Sequence, residues 1–255
     1  FGRCSVDTTM ATRITVALIL IVATLATACG RDGRAPAPIL LFNGTGTSAN
    51  DVRAFESLLT ERGLEYDTAN SARLNALAGD ELRAYRLLIV PGGNFEEMGN
   101  ALDRATSVRV RDAVHGGLNY LGVCAGAFFA GDSPYNGLDL TGGVRFPFYS
   151  AEARGIRKAA VQITSPGAAP IDHYWEDGPE LSGWGRPVAN YPDGKPAVVE
   201  GHAGRGWVVL VGTHPEAPES WRGDLEFSTP ARDSQAYAAR LIEAALAGRS
   251  VTLSR

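Results

Sequence analysis

Lysine is nearly missing from this chain: Lys158 and Lys195 are the only two, although lysine and arginine together number 24. Against 28 acids the net charge is −4, with a pI near 5.6. That balance offers no basic footprint, so nucleic acid is excluded as an expected partner. Cysteine is scarce as well, at three residues. Neither Cys-x-x-Cys nor His-x-x-x-His spacing occurs, and the expectation is no metal site and no cofactor. Internal repeats and heptads are lacking, which excludes solenoids and coiled coils. The apolar run from Ile14 to Ala26 falls short of the ~20 residues a bilayer span needs.

What that run does have is the layout of a secretory signal. Met10-Ala11-Thr12-Arg13 is a short basic start, and Leu25-Ala26-Thr27-Ala28-Cys29-Gly30 is a small-residue exit ending in a cysteine. The pattern resembles a bacterial lipobox with Cys29 as the lipidated residue, and a cleaved signal ending at Ala28 without lipid is the alternative. The expected division is 1–28 as upstream extension and signal, 29–37 as a lipidated tether, and 38–255 as one folded domain. The expected location is extracytoplasmic, on a bacterial cell membrane through the lipid. With Cys4 in the extension and Cys29 under lipid, Cys124 remains the domain's only thiol, so no disulfide is expected.

Around that thiol the chain reads Tyr120-Leu121-Gly122-Val123-Cys124-Ala125-Gly126-Ala127. An apolar strand runs into Gly-x-Cys-x-Gly and then into small, helix-compatible residues, as in a nucleophile elbow. Glycines on either side remove side chains that would collide at a sharp strand-to-helix turn. The sulfur then sits near a helix N-terminus, where the dipole favours thiolate. Taken alone, Cys124 reads equally well as a small buried hydrophobe.

Two further strand ends change that balance. Trp207 to Val211 is a β-branched strand leading into Gly212-Thr213-His214-Pro215-Glu216. There His214 can take a thiol proton while Glu216 orients its ring. Arg86 to Val90 is a buried strand ending in Pro91-Gly92-Gly93-Asn94, where glycines let backbone N–H groups approach a ligand, as an oxyanion hole requires. Together the strand ends lead to the expectation of a Cys-His-Glu triad.

With these residues in hand, the chain resembles the class I glutamine amidotransferase-like superfamily, and within it the biotin-protein ligase N-terminal domain family. The resemblance rests on Leu41 to Ser48, Ile89 to Gly93, Gly116 to Ala130 and Gly212 to Glu216. It implies a doubly wound, flavodoxin-like α/β fold with a mostly parallel sheet flanked by helices. It also implies Cys124 as nucleophile, His214 as base, Glu216 as orienting acid and oxyanion donors at Gly93 and Ala125. Asn43, Gly92, Asn94 and Trp175 are the expected substrate contacts, the last because the Trp175-Glu176-Asp177-Gly178 region lies near the pocket in that family. Turn roles account for Asn43 and Asn94 about as well.

Elsewhere the pattern predicts strands at Pro38–Phe42 and Glu65–Thr68, and helices from Thr47 or Ser48 through Arg62, around Ser71–Ala78, from Ser107 to His115 and from Gln235 to Ala247. After Asp132 a β-rich insertion is expected, with short strands at Thr141–Ser150, Arg157–Thr164, Pro187–Pro192 and Ala197–Glu200. His202 is expected in a hairpin turn.

The expected function is that of a thiol-dependent amidase or hydrolase acting on an extracytoplasmic small-molecule or peptide amide. The alternative is a non-catalytic module that binds a small molecule or partner on the same fold. A redox or carbonyl-stress role would place an acid after the first strand, where this chain has Asn43-Gly44-Thr45. Biotin ligation would need a Gly-rich adenylate loop with a lysine, and the one Gly-Arg-Gly, at 204–206, leads straight into a strand. No protein partner is indicated.

Overall fold

The computed structural model describes residues 36–150 and 157–251. The signal, Cys29 and most of the proposed tether fall outside the described residues. Among the described residues, no helix is long and apolar enough to cross a membrane.

Four short apolar runs form the centre of the sheet: β1 (Ile39–Phe42), β3 (Leu87–Val90), β4 (Asn119–Val123) and β9 (Gly206–Val211). Their side chains alternate between two apolar layers, as the pleat requires. Ile39, Leu41, Leu87, Ile89, Leu121 and Val209 enter one layer, and Leu40, Phe42, Leu88, Val90, Tyr120 and Leu210 the other. Because both faces are covered, these strands read as continuous apolar runs rather than alternating ones.

The sheet has seven strands in the order β2-β1-β3-β4-β9-β8-β7, where β2 is Tyr66–Ala69, β7 is Arg186–Asn190 and β8 is Pro196–Ala203. The first five are parallel, and β8 and β7 add an antiparallel edge. Helices α1 (Ala49–Glu61) and α7 (Ala231–Ala247) cover one face through Phe55, Leu59, Leu241 and Ile242. On the other face lie α2 (Ser71–Ala76), α3 (Gly79–Arg83), α4 (Phe95–Asn100), α5 (Arg104–His115) and α6 (Ala125–Ala130). This is the expected doubly wound, mostly parallel α/β fold. The chain reverses direction at β1, so the loops after β1 and β3 flank a topological switch point, where such folds bind ligands.

Beyond Asp132 the structure departs from expectation. Thr141–Ser150 is not a strand: Gly142 and Gly143 take φ of 65° and 88°, and the Thr141 hydroxyl donates to the Val144 carbonyl at 2.8 Å, folding the segment on itself. Ile171–Glu176, absent from the expected strands, is strand β6. It pairs antiparallel with β5 (Lys158–Ile163) as a separate two-stranded sheet. β8 runs three residues past Glu200, so His202 lies in a strand opposite Trp207 rather than in the turn. Helix α5 starts at Arg104, and α3 and α4 were not anticipated.

Candidate active site

The elbow is built as the sequence implied, and at measurable strain. Cys124 has φ 48° and ψ −105°, a conformation non-glycine residues rarely hold. Its neighbours show why glycine flanks it. A Cβ on Gly126 would lie 2.0 Å from the Val90 carbonyl, and one on Gly122 would lie 2.5 Å from that of Gly126. Two bonds hold the turn. The Cys124 N–H donates to the Val211 carbonyl at 2.8 Å, drawing the ends of β4 and β9 together. Tyr120, fully buried, donates its hydroxyl to the Gly126 carbonyl at 2.7 Å. Burial pushes the Tyr120 phenol well above its ordinary pKa, so it remains a donor.

Three residues past β9, His214 is fixed by its own N–H, which donates to the Tyr174 carbonyl at 2.8 Å. Its Nδ1 lies 3.0 Å from Glu216 Oε1 and 2.9 Å from Asp51 Oδ1. One N–H cannot point at both. It is aligned with Glu216, and Asp51 Oδ1 has no aligned hydrogen bond. All four groups are buried, with relative exposures of 5% for Cys124, 4% for His214, 0% for Glu216 and 5% for Asp51. Because Nδ1 is engaged, Nε2 is the ring atom free to exchange a proton.

The charges are coupled. Burial opposes a proton on His214, but Cys124, Asp51 and Glu216 outweigh it and hold the imidazole well above its ordinary pKa. The two acids differ. Burial raises Glu216 above the usual carboxylate value despite His214. For Asp51 burial is outweighed by His214 and Ser48, which keep it below. Asp51, His214 and Glu216 also offer three ligand-type atoms within 4.8 Å of one another. A proton on Nδ1 accounts for the same distances without an ion.

Asp51 was missed from the sequence because an acid in the first turn of a helix capped by Thr47 or Ser48 is ordinary on dipole grounds. Ser48 does cap α1, accepting from the Asp51 N–H at 3.4 Å. The Ser48 N–H, however, donates to the Gly92 carbonyl at 2.9 Å, and the Asp51 carboxylate turns inward to the histidine. Asp51→Asn is expected to slow any His214-dependent step roughly tenfold, less than loss of a lone orienting acid, because Glu216 still holds Nδ1. A pH titration of the His214 Cε1 proton by NMR checks it: the variant's imidazole should lose its proton at lower pH than the wild type's.

The oxyanion candidates also sit at strand ends. Ala125 opens α6, so its N–H has no partner within the helix. Gly93 (φ 140°) bridges Thr47 through Ser48 N–H to Gly92 O and Asn94 N–H to Gly46 O, which leaves its own N–H outside that pair. Gly92 seats the histidine, since a Cβ there would fall 2.3 Å from Asp51 Oδ1 and 2.5 Å from His214 Cε1. Asn94 caps α4, accepting from the N–H groups of Glu96 and Glu97. Asn43 is exposed at the end of β1, its N–H bound to the Ala69 carbonyl.

Strand β6 lies over the nucleophile. The Cys124 thiol approaches the Glu176 carbonyl at 3.5 Å, and the Tyr174 hydroxyl donates to Glu176 Oε2 at 2.7 Å. The rings of Tyr174 and Trp221 stand edge-on to His214 at 5.8 and 6.0 Å. Trp175, the expected substrate contact, alternates to the other side and packs on Tyr149 and the Arg157 guanidinium. His173 bonds Thr213 Oγ1 at 2.8 Å, and burial pushes it down to about 3, so it is neutral and structural.

Residues 37–168, more than half of the chain, match the family Biotin-protein ligase, N terminal. The chain belongs to that family. Its members have a class I glutamine amidotransferase-like fold, in keeping with the sheet order found here. The match contains Gly93 and Cys124 and ends before β6 and His214. No curated protein sequence matches the chain.

Among solved structures it is similar to an exo-beta-1,4-mannosidase from an Opitutaceae bacterium (15% identity, TM-score 0.51, 83% of this chain and 36% of that one). The chain thus spans about a third of the length of the glycosidases it matches. It is also similar to a cytoplasmic protein from Salmonella typhimurium LT2 (10%, 0.52, 81% and 99%). A third likeness is to a candidate GMP synthase protein from Thermoplasma acidophilum (14%, 0.50, 81% and 98%). At these identities the likeness is one of fold.

Proposed function

We propose that the chain is a cysteine-nucleophile amidase, carried outside the cytoplasm on a lipid at Cys29. The observation that supports it most is that a strained Cys124 and a buried His214 follow adjacent strands, with His214 Nδ1 bonded to Glu216 and Asp51 close by. That arrangement leaves Nε2 to serve the sulfur. The thiolate attacks the carboxamide carbon and forms a C–S bond, while the oxyanion takes the N–H groups of Gly93 and Ala125. His214 passes its proton to the nitrogen, the C–N bond breaks, and an amine or ammonia leaves. Neutral His214 then draws a proton from water, and hydroxide attacks the thioester. The C–S bond breaks, restoring thiolate and imidazolium and releasing the carboxylic acid, which gives its proton to the freed amine or to water.

Glu216 and Asp51 are positioning residues, since they reach the reaction only through the ring. Glutamine-fed transfer normally needs a synthase partner and an ammonia channel, so hydrolysis of an extracytoplasmic amide is the simpler use of the same machinery. Biotin ligation forms no part of this reading. The test is ammonia or amine release from a panel of primary and secondary amides, with the acyl-enzyme trapped by hydroxylamine. Cys124→Ala should remove turnover by a factor on the order of 10³ or more. Bound but unhydrolysed amides, with no hydroxamate formed, would favour the binding module.

A further inference from the structure

Beside the elbow lies a pocket that the amidase chemistry does not use. Phe95 opens α4 two residues after Gly93, and Phe128 lies on α6 four residues after Cys124, about 6 Å along the helix. Their rings stack at 4.7 Å. Phe148 closes on Phe128 at 4.7 Å, and Tyr135 meets Phe95 edge-on at 6.1 Å. With Phe146 and Arg145 these rings line a cavity of about 200 Å³. A dry apolar cavity of about 150 Å³ is enough to admit benzene.

The walls are built rather than loose. The Tyr135 backbone abuts α4 so closely that a Cβ on Gly99 would sit 1.6 Å from the Tyr135 carbonyl. The Asn136 side chain donates to the Leu102 carbonyl at 2.9 Å, and the Ser107 hydroxyl to the Asn136 carbonyl at 2.8 Å. Yet Phe148 and Tyr135 remain 45% and 36% exposed. Large aromatic rings held open around a cavity lack the burial they would gain from a ligand. Among the described residues the one cation on the lining is Arg145, which donates to the Asp132 carbonyl at 2.7 Å and pairs with its carboxylate at 3.4 Å. Its charge is answered, so the pocket suits a neutral ring better than an anion.

We propose that this pocket is a specificity subsite that holds a neutral aromatic ring of the substrate, one helical turn from the amide attacked by Cys124. The inference rests on the thiol-nucleophile reading. It is tested by the rate at which Cys124 is inactivated by 2-chloroacetamide and by N-(2-phenylethyl)-2-chloroacetamide, each divided by its rate with glutathione. The phenyl probe is expected to react on the order of 10- to 100-fold faster and to saturate. Phe148→Ala, a half-exposed position, should abolish that preference and leave the rate with 2-chloroacetamide unchanged.

Equal normalised rates in the wild type, or a preference indifferent to Phe148→Ala, would overturn the subsite while leaving the nucleophile intact. Should 2-chloroacetamide itself fail to react, the nucleophile reading falls. The pocket is then judged by titrating N-(2-phenylethyl)acetamide into Cys124→Ala and following the Phe95 and Phe128 ring signals by NMR. Shifts there support a binding pocket, and none overturns it.

Discussion

At pH 6.5, His214→Ala is expected to slow the alkylation of Cys124 by iodoacetamide on the order of 100-fold. An unassisted thiol ionises near pH 8.5, so at pH 6.5 only about 1% of it is thiolate. In the wild type His214 lies within the electrostatic reach of Cys124, and Cys124, Asp51 and Glu216 together favour its protonated form. Above about pH 9 the two proteins should converge, because a thiol there ionises without help. Rates measured from pH 5.5 to 9.5 check this, and equal rates at pH 6.5 would remove the triad.

The same charges set how stability varies with pH. His214 binds its proton more tightly folded than unfolded. Its contribution is therefore complete below about pH 6.5 and is lost as pH rises through the elevated folded value. Glu216, raised by burial, also costs stability as it is forced to ionise above its ordinary range. Asp51 runs the other way, its contribution being lost only as pH falls through its lowered value. The wild type should therefore lose stability from neutral into alkaline pH, and His214→Ala should lose less.

The second large effect concerns the backbone. Gly126→Ala is expected to lower Tm by roughly 10 °C, at about 2–4 °C per kcal/mol for a domain of this size. The added methyl would stand 2.0 Å from the Val90 carbonyl, and neither partner can yield. The Gly126 N–H donates to the Pro91 carbonyl at 3.2 Å, its own carbonyl accepts from Tyr120, and Val90 is locked in β3 between β1 and β4. Relief must shift α6 away from the sheet, which costs several kcal/mol. Gly167→Ala is the control. That glycine has φ 74° with nothing near its Cβ direction, so only left-handed strain of about 1 kcal/mol is added. Thermal melts of the two variants separate close packing from backbone conformation.

The features legible in the residues alone were local ones. Continuous apolar runs marked β1, β3, β4 and β9, because a strand buried on both faces has no polar alternation to hide it. Gly122-Val123-Cys124-Ala125-Gly126 marked the elbow, because no other residue fits where backbones approach within van der Waals contact. His214-Pro215-Glu216 kept its acid two residues away, within reading distance of the ring it faces.

The features that needed the folded chain were non-local. Asp51 reaches His214 across 163 positions of chain, from a helix start where an acid is ordinary. Tyr120 is indistinguishable in sequence from any core aromatic until its hydroxyl meets the Gly126 carbonyl. Strand β6 hides in Ile171-Asp172-His173-Tyr174-Trp175-Glu176 because its polar residues are satisfied from afar, Asp172 by Ser228 and Thr229 and His173 by Thr213. Conversely, Thr141–Ser150 had strand-like residues but finds only an isolated bridge, Phe148 opposite Pro179, and no full strand to pair with. A strand needs a partner before its backbone groups are satisfied, and the partner is a property of the fold, not of the segment.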